Sequence, residues 1–467
     1  MKRFKIFISA VLIVSMLTVT AACGDTGGDP HGTNAPTGSA PVQSDKADDN
    51  TGNDPTPSGT DATGGPNRQE GQQASLDFLA QAREREAVNR DLSLSDPELA
   101  GAVTAVIDRL NAFSVDLLKS LPRGEQITSP LSLYFALVNL RMGMQGESRV
   151  YIDNVLKPDD LSDALYEKAL QWLAAELSAS DEFQDMVLEM SQLVVAQEGL
   201  TWNEAYLQRV KPLLTDAGSL DFQNRPDDAV RMLNAWANDR TRGLIPEIFD
   251  GPDSLDPNTV LMLLNAIYFK GQWHTEFNEE RDDVFYGADG EKTMPFMDVK
   301  DRFAYGEKDG IQYIEVPYYG GAFMQIALGG EDSDINDVAE HLFALADGDL
   351  NSRDGYLKMP AFQIKSEMDL QDSLMKMGLG ELFDSLGETD YFTETEGLYV
   401  GKAKQLINLK VNSKGTEAAA VTVIEVDESA IVVDDEQEPF EMIVNRPFAF
   451  RVIYQGMPLF CGTVTRP

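Results

Sequence analysis

The chain has 467 residues and a formal net charge of −39 at pH 7. That strong negative charge excludes electrostatic binding to nucleic acid and to anionic lipid head groups. The two cysteines, Cys23 and Cys461, lie near opposite ends of the sequence, so we expect no disulfide framework. Without disulfides an exported chain needs a large hydrophobic core, and this length allows one.

The first 22 residues have the organisation of a secretory signal. Three cations among the first five residues precede an apolar run from Ile6 to Val19, which is too short for a normal membrane-spanning helix. Two small residues and Cys23 follow, an order that resembles the bacterial lipobox, although Thr20 stands where Leu is usual. We therefore predict a lipoprotein signal peptide over residues 1–22 and lipidation of Cys23. The alternative is plain secretion, with Cys23 left near the mature terminus.

The next segment has almost no residues that could form a core. From Gly24 to Glu70 there is no Leu, Ile, Met or aromatic residue, and Val42 is the only branched aliphatic. Such a stretch buries too little apolar surface to offset chain entropy. We predict a disordered Gly/Asp/Thr/Pro-rich tether over residues 23–94. A flexible tether of about 50 residues would hold the folded part roughly 40 Å from the membrane on average.

The folded domain is predicted over residues 95–467. Ser95-Asp-Pro-Glu98 is a capping box with Pro97 at the first helical position. Further helical spacing is found over Ser132–Met142, Asp159–Leu177 and Asp227–Thr241. Strand-like runs follow at Thr259–Lys270, Tyr313–Pro317, Phe323–Leu328, Gly355–Pro360, Gln405–Val411, Pro447–Tyr454 and Leu459–Val464. Helices come mostly before strands, without regular βαβ alternation, which favours an α+β fold in one large unit.

Motifs for catalysis and cofactor binding are missing from the sequence. It has three histidines and no G-x-S-x-G, C-x-x-C or H-E-x-x-H pattern, so neither a Ser-His-Asp hydrolase nor a zinc site is supported. Gly287–Thr293 has the wrong spacing for a phosphate loop and better fits a hairpin turn. The acidic run that begins at Asp332 lacks the Gly and Glu of a calcium loop. We expect a protein that is not an enzyme and that has no cofactor or metal.

Five separated segments of the sequence together resemble the signatures of a known protein family. They are Ser129-Pro-Leu-Ser132, Leu264-Asn-Ala-Ile-Tyr-Phe-Lys-Gly-Gln-Trp273, Gly415-Thr-Glu-Ala-Ala-Ala420, Asn445-Arg-Pro-Phe448 and the closing strand Leu459–Val464. In order and at this spacing they resemble the signatures of the serpin family over nearly all of residues 97–467. The resemblance implies a serpin fold, with three β-sheets, about eight or nine helices and an exposed reactive loop. Together with the lipobox-like segment before Cys23, it indicates a bacterial, lipoprotein-anchored member, which we expect to be a monomer.

The hinge of that loop can also be analysed from its alternation. Its residues are Gly415, Thr416, Glu417, Ala418, Ala419 and Ala420. On a strand, alternate residues share a face. One face would carry only small or β-branched residues from Thr416 to Ile424, and the other would carry the charges of Glu417 and Glu425. The segment can therefore become a central strand with its charges outward.

The resemblance then implies suicide inhibition of a serine protease. The protease attacks the loop, forms its acyl-enzyme, and is trapped when the cut hinge inserts into the main sheet as a new strand. Two other hypotheses stay open at this point. One is a non-inhibitory serpin-fold surface binding protein, and the other is a solute-binding surface lipoprotein, which the hinge and the signature strands argue against.

The family's usual hinge length places the reactive bond at Ser429–Ala430, in a loop that runs unusually long to Asn445. Val426, Glu428 and Ile431 are further candidates for the residue before the cut. No Lys or Arg lies between Gly415 and Asn445, which excludes a trypsin-like target, and the single aromatic, Phe440, lies too late for a chymotrypsin-like one. The small apolar residues favour an elastase-like or subtilisin-like protease, whereas Glu425, Asp427 and Glu428 leave an acid-specific protease open.

Five supporting residues are implied by the same resemblance. Ser129, Ser132 and Asn265 match a buried polar cluster beneath the sheet opening, which must be hydrogen-bonded internally. Trp273 matches the Trp at the top of the sheet, where insertion begins. Gln405 stands where the family usually has a His, and because an amide cannot gain charge, opening should lack an imidazole-based pH switch. We expect an extracellular protein held at the bacterial cell surface by its lipid anchor.

Overall fold

The computed structural model describes the backbone of residues 11–21 and the whole of residues 92–178, 186–346, 348–387, 392, 397–416 and 438–467. Residues 22–91 lie outside this part of the chain, and with them Cys23 and nearly all of the predicted tether. Residues 417–437 lie outside it as well, so the placements of Glu417, Ala418, Ala419 and Ala420 and of the bond Ser429–Ala430 remain predictions.

Eight α-helices are found in the described residues. They are α1 (Pro97–Ser120), α2 (Pro130–Met142), α3 (Gly146–Leu156), α4 (Asp163–Glu176), α5 (Glu204–Val210), α6 (Pro226–Arg240), α7 (Ile335–Phe343) and α8 (Gln371–Leu374). Pro97 is the first residue of α1, as predicted, and the Asp96 side chain caps it by accepting the Glu98 N–H at 3.0 Å. No helix in these parts of the chain is long and apolar enough to cross a membrane.

The first sheet has seven strands. They are β1 (Val11–Ala21), β3 (Met186–Gln197), β4 (Thr215–Leu220), β5 (Thr259–Gln272), β11 (Phe362–Asp369), β12 (Leu398–Asn412) and the short β13 (Gly415–Thr416). From one edge the order is β11, β12, then β1 and β13 end to end, then β5, β3 and β4. The backbone of β1 belongs to the predicted signal peptide, whose cleavage stays a prediction.

The second sheet has nine strands. They are β2 (Gln126–Thr128), β6 (Arg281–Gly287), β7 (Gly290–Lys308), β8 (Ile311–Pro317), β9 (Ala322–Leu328), β10 (Asn351–Pro360), β14 (Phe440–Ile443), β15 (Phe448–Tyr454) and β16 (Met457–Val464). The hairpin predicted near residue 287 is confirmed, since Gly287 pairs with Gly290 where β6 turns into β7. β7 is 19 residues long and pairs with β6 and β10 along most of its length and with β8 at its end. Because this long strand connects the others into one sheet, the described residues form two sheets where three were predicted.

The core lies between the two sheets and around α2. All 13 residues of α2 are buried, and the helix packs against β5 of the first sheet and β16 of the second. Ser129 caps this helix, its hydroxyl accepting the Ser132 N–H at 3.2 Å, as the Ser-Pro-x-Ser pattern predicts. The start of α2 is therefore a fixed point beneath the first sheet. The α+β prediction is confirmed by this arrangement.

Candidate functional site

The predicted hinge begins at a tight turn after β12. The Lys414 N–H donates to Asn412 Oδ1 at 2.9 Å. The carbonyls of the turn accept from the segment after β5: Ser413 O from the Phe277 N–H and Lys414 O from the Trp273 N–H, both at 3.0 Å. Backbone bonds thus fix the point at which the loop leaves β12.

The first two loop residues already form the start of a new strand. Gly415 and Thr416, which are β13, pair antiparallel with Asn412 and Val411 of β12 on one side. On the other side they pair antiparallel with Gln272 and Gly271 of β5. We call the space between β5 and β12 the slot. Gly415 and Thr416 thus occupy the end of the slot nearest Trp273, which we call its upper end, antiparallel to both neighbouring strands.

A buried hydrogen bond holds the second hinge residue in place. Thr416 is fully buried, and its hydroxyl lies 2.6 Å from the hydroxyl of Tyr318, which is also buried. Burial raises the pKa of Tyr318 well above its usual range, so the phenol stays protonated and able to donate. Thr416 therefore faces inward, as the alternation of the hinge predicts.

Trp273 packs against Tyr318 and so supports its hydrogen bond to Thr416. Its ring stacks on Tyr318 with centroids 4.2 Å apart and planes 11° from parallel, and its Nε1 donates to Asn412 O at 2.9 Å. The structure places Trp273 directly after β5, beside the turn from which the predicted hinge starts. Tyr318 was not found from the sequence. It follows β8 at a strand end, and an isolated backbone bridge to Trp273 brings it to the slot.

The backbone conformation at position 415 requires a glycine. Its φ of 151° is rarely adopted by residues with a side chain, and a Cβ built there would lie 2.1 Å from Gly271 O. We expect Gly415→Ala to lower the free energy of unfolding by about 1–3 kcal/mol, because both the strained φ and the clash act in the folded state. Gly101→Ala in α1 is the control, since nothing lies within 4 Å of its Cβ, and it should stabilise by about 0.5–1 kcal/mol. Thermal melting compares the two, and equal melting temperatures would contradict the role given to Gly415.

Below the hinge, Gln405 ties β12 to the start of α2. Its Oε1 accepts from Thr128 Oγ1 at 2.7 Å and from the Ser129 N–H at 3.0 Å, and its Nε2 donates to Ser129 O at 3.0 Å. The side chain is fully buried. Both ends of the amide therefore have partners, which a buried amide needs.

On the other side of the slot, Asn265 ties β5 to the same helix. Its Oδ1 accepts from Ser132 Oγ at 2.7 Å, and both residues are fully buried. The structure thus brings Ser129, Ser132, Asn265 and Gln405 together in one buried, hydrogen-bonded group. Asn265 Nδ2 has no hydrogen-bond partner among the described residues. The buried cluster therefore has one N–H donor, beside the slot, that makes no hydrogen bond within the described residues.

The loop ends at an earlier residue than the sequence predicts. Phe440 begins β14, which pairs parallel with β10, so the loop ends before residue 440 and the predicted end at Asn445 is wrong. Phe440 is 4% exposed and stacks on Tyr305 with centroids 4.0 Å apart. The short strand was missed because its few residues carry no clear alternation. The only aromatic of the predicted loop is therefore buried.

Comparison with known proteins decides the family. A family model described as Serpin (serine protease inhibitor) matches residues 108–467. The chain belongs to the serpin family. An uncharacterized serpin-like protein of Thermococcus kodakarensis is 29% identical over 378 residues, covering 79% of this chain and 87% of that protein. The leukocyte elastase inhibitor of Bos taurus is 27% identical, covering 76% and 97%. The crystal structure of Serpin48 from Tenebrio molitor, at 24% identity, covers 80% of this chain and 100% of that chain with a TM-score of 0.66.

Members of this family are generally inhibitors rather than enzymes. The described residues of this serpin contain no group of three or more His, Cys, Asp or Glu side chains that could hold a metal ion. The acidic segment after Gly330 has a structural role instead, since Asp334 caps α7 by accepting the Asn336 N–H at 2.8 Å. That bond and the Asn336 side chain hold the pKa of the Asp334 carboxyl below its usual range.

Replacing the buried amide by an imidazole should create a pH dependence that this serpin lacks at Gln405. In Gln405→His, burial disfavours the charged form, so the folded-state pKa lies below the unfolded value of about 6.5. Stability is then present above the unfolded pKa and is lost as the pH falls. We expect the melting temperature of the variant, relative to the parent, to fall between pH 8 and pH 5.5. Gln363→His, on an exposed position of β11, is the control. A difference from the parent that stays constant with pH would contradict this prediction.

Proposed function

We propose that this serpin is a covalent, conformational-trapping inhibitor of a serine protease. One observation supports it above the others: Gly415 and Thr416 are paired with both β5 and β12 at the upper end of the slot. A loop whose first residues already have strand register on both sides needs no rearrangement at its root before the rest can follow.

The reaction would take place at the predicted reactive bond of the loop, Ser429–Ala430. The serine Oγ of the protease attacks the carbonyl carbon of Ser429, an ester bond forms, and the bond to Ala430 breaks. The leaving amine of Ala430 takes the proton from the protease histidine. In the chain without residues 1–22, the segment from Thr416 to Ser429, with the protease still esterified, is then free to extend β13 into the slot. About 14 residues at ~3.3 Å each would carry the protease roughly 45 Å.

Specificity follows from the side chains of the loop. No Lys or Arg lies between Gly415 and Asn445, so the acidic pocket of a trypsin-like enzyme finds no anchor. Phe440 is buried against Tyr305, which leaves a chymotrypsin-like enzyme no aromatic residue in the loop. Ser429 and its neighbours Ala430 and Ile431 suit the shallow apolar pocket of an elastase-like or subtilisin-like protease. Signal cleavage before Cys23 and its lipidation would display the inhibitor at a bacterial cell surface.

A protease panel tests the proposal. The chain lacking residues 1–22 is incubated with elastase, subtilisin, chymotrypsin and trypsin, and the products are separated on denaturing gels. We expect a covalent complex with elastase or subtilisin and none with trypsin. Mass spectrometry of the released C-terminal peptide identifies the bond. Cleavage within residues 417–437 without a complex, for every enzyme that cuts there, would contradict inhibition and leave a non-inhibitory surface binding protein.

A further inference from the structure

The slot below the hinge is occupied by the N-terminal segment of the same chain. Strand β1 pairs antiparallel with β5 from Val11 opposite Phe269 to Thr20 opposite Thr259. On its other side it pairs antiparallel with β12, from Leu12 opposite Asn408 to Ala21 opposite Leu398. The segment is therefore a central strand, hydrogen-bonded along both edges.

The register of β1 is the register that the loop would take. Thr416 lies opposite Gly271 and Val411, so a strand that continues from it places Ala418 opposite Phe269 and Ala419 opposite Asn408. Those two positions are held by Val11 and Leu12. Both segments run antiparallel to β5, and residues 11–18 stand in the positions of residues 418–425 without a shift.

The sequences of the two segments explain why one slot fits both. Val11–Ala21 reads Val-Leu-Ile-Val-Ser-Met-Leu-Thr-Val-Thr-Ala, which is uncharged and rich in the β-branched residues that favour strands. Ser15 lies at the register position between Asn265 and Gln405, and Thr422 would take the same position in an inserted loop. Each segment thus has a hydroxyl residue at the register position of the buried polar cluster.

We propose that the leader strand Val11–Thr20 is an autoinhibitory plug, which competes with the loop segment Ala418–Glu425 for the slot. This inference rests on the proposed inhibitory function. In a chain that retains its N-terminal segment the slot is full, so a cut loop cannot insert, the acyl-enzyme is hydrolysed, and the serpin behaves as a substrate. Removal of residues 1–22 empties the slot, and the inhibitor becomes active only after it has been processed.

Occupancy of the slot is tested by cross-linking in the full chain. In a Cys23→Ser background, Val14→Cys is combined with Ala266→Cys, its partner across the strands, whose Cα should lie about 4.5–5.5 Å away. Val14→Cys with Met262→Cys is the matched control, four residues further along β5 and out of reach. We expect near-complete disulfide formation in the first pair and none in the control. Equal, low cross-linking in both would overturn the plug.

Competition is tested by the yield of covalent complex with elastase or subtilisin. Proline in the middle of a central strand removes its hydrogen bonds, so Val14→Pro in the full chain should restore the yield to that of the chain lacking residues 1–22, at least ~10-fold above the unaltered full chain. Ser9→Pro lies before the strand and should change nothing. Equal yields from the full chain and Val14→Pro would overturn the competition. Absence of complex from all of these chains would instead overturn the proposed function, while the cross-link still decides occupancy.

Discussion

Ala420→Glu is expected to convert the inhibitor into a substrate, lowering the yield of covalent complex by at least ~10-fold. Continuing the register of β13 places residue 420 opposite Ile267 and Ile407, both of which are buried. A carboxylate between them would lose its hydration with no partner, at an effective cost of several kcal/mol, and each 1.4 kcal/mol is a factor of ten. Insertion then becomes slower than hydrolysis of the acyl-enzyme.

Ala419→Glu is the matched control, with the same substitution one residue away. Position 419 lies on the other face, which by the same alternation carries Glu417 and Glu425. Its neighbours are half-buried Asn408 on β12 and buried Tyr268 on β5, and the Arg242 guanidinium lies over the Tyr268 ring. Its complex yield should stay within about twofold of the parent. Both variants are made in the chain lacking residues 1–22 and compared on denaturing gels against elastase and subtilisin. Equal losses in the two would mean that the alternation of the hinge does not govern insertion.

Trp273→Ala is expected to destabilise the fold by about 3–5 kcal/mol and to free the hinge. The fully buried indole supports Tyr318, whose hydroxyl bonds Thr416, and its own Nε1 bonds Asn412 O. Without it, the upper end of the slot loses both the stacking surface and a hydrogen bond. We expect amide exchange at Gly415 and Thr416 to rise with the loss of stability.

Trp236→Ala separates the two effects. Trp236 is 2% exposed on α6, in a hydrophobic cluster separate from that of Trp273 and Tyr318, so its loss should cost a similar amount of stability. Exchange at Gly415 and Thr416 should then rise only as far as global unfolding requires. If both variants expose the hinge equally, Trp273 is an ordinary core residue and has no special role in holding the loop.

Much of the fold was readable from the sequence, because local signals coincided with tertiary roles. Pro97 and Ser129 mark helix starts whose caps the structure shows. The run from Thr259 is strongly apolar because β5 is buried on both faces. The observed strand ends at Gln272, only two residues beyond the predicted end at Lys270. Where a local pattern served the core directly, the predicted and observed elements agree closely.

Other elements were missed where tertiary context overrides local pattern. Met186–Gln197 contains Glu189, Ser191 and Gln192 among apolar residues, so neither period stands out, yet it is a central strand. Tyr318 shows its role only through the stacking of Trp273 and the bond to Thr416, which are distant in sequence. The occupation of the slot by Val11–Ala21 could not be predicted for the same reason, since the sequence of an apolar run does not show which strands it pairs with.

Insertion of the loop as a strand is the central claim, and hydrogen exchange measures it directly. The chain lacking residues 1–22 is cut in its loop by elastase or subtilisin, and exchange of the amides of residues 418–427 is compared before and after the cut. Strand hydrogen bonds to β5 and β12 should slow their exchange by ~100-fold or more. Exchange at the rate of an unprotected peptide in the cut protein would show that the slot does not accept the loop, and would contradict the account.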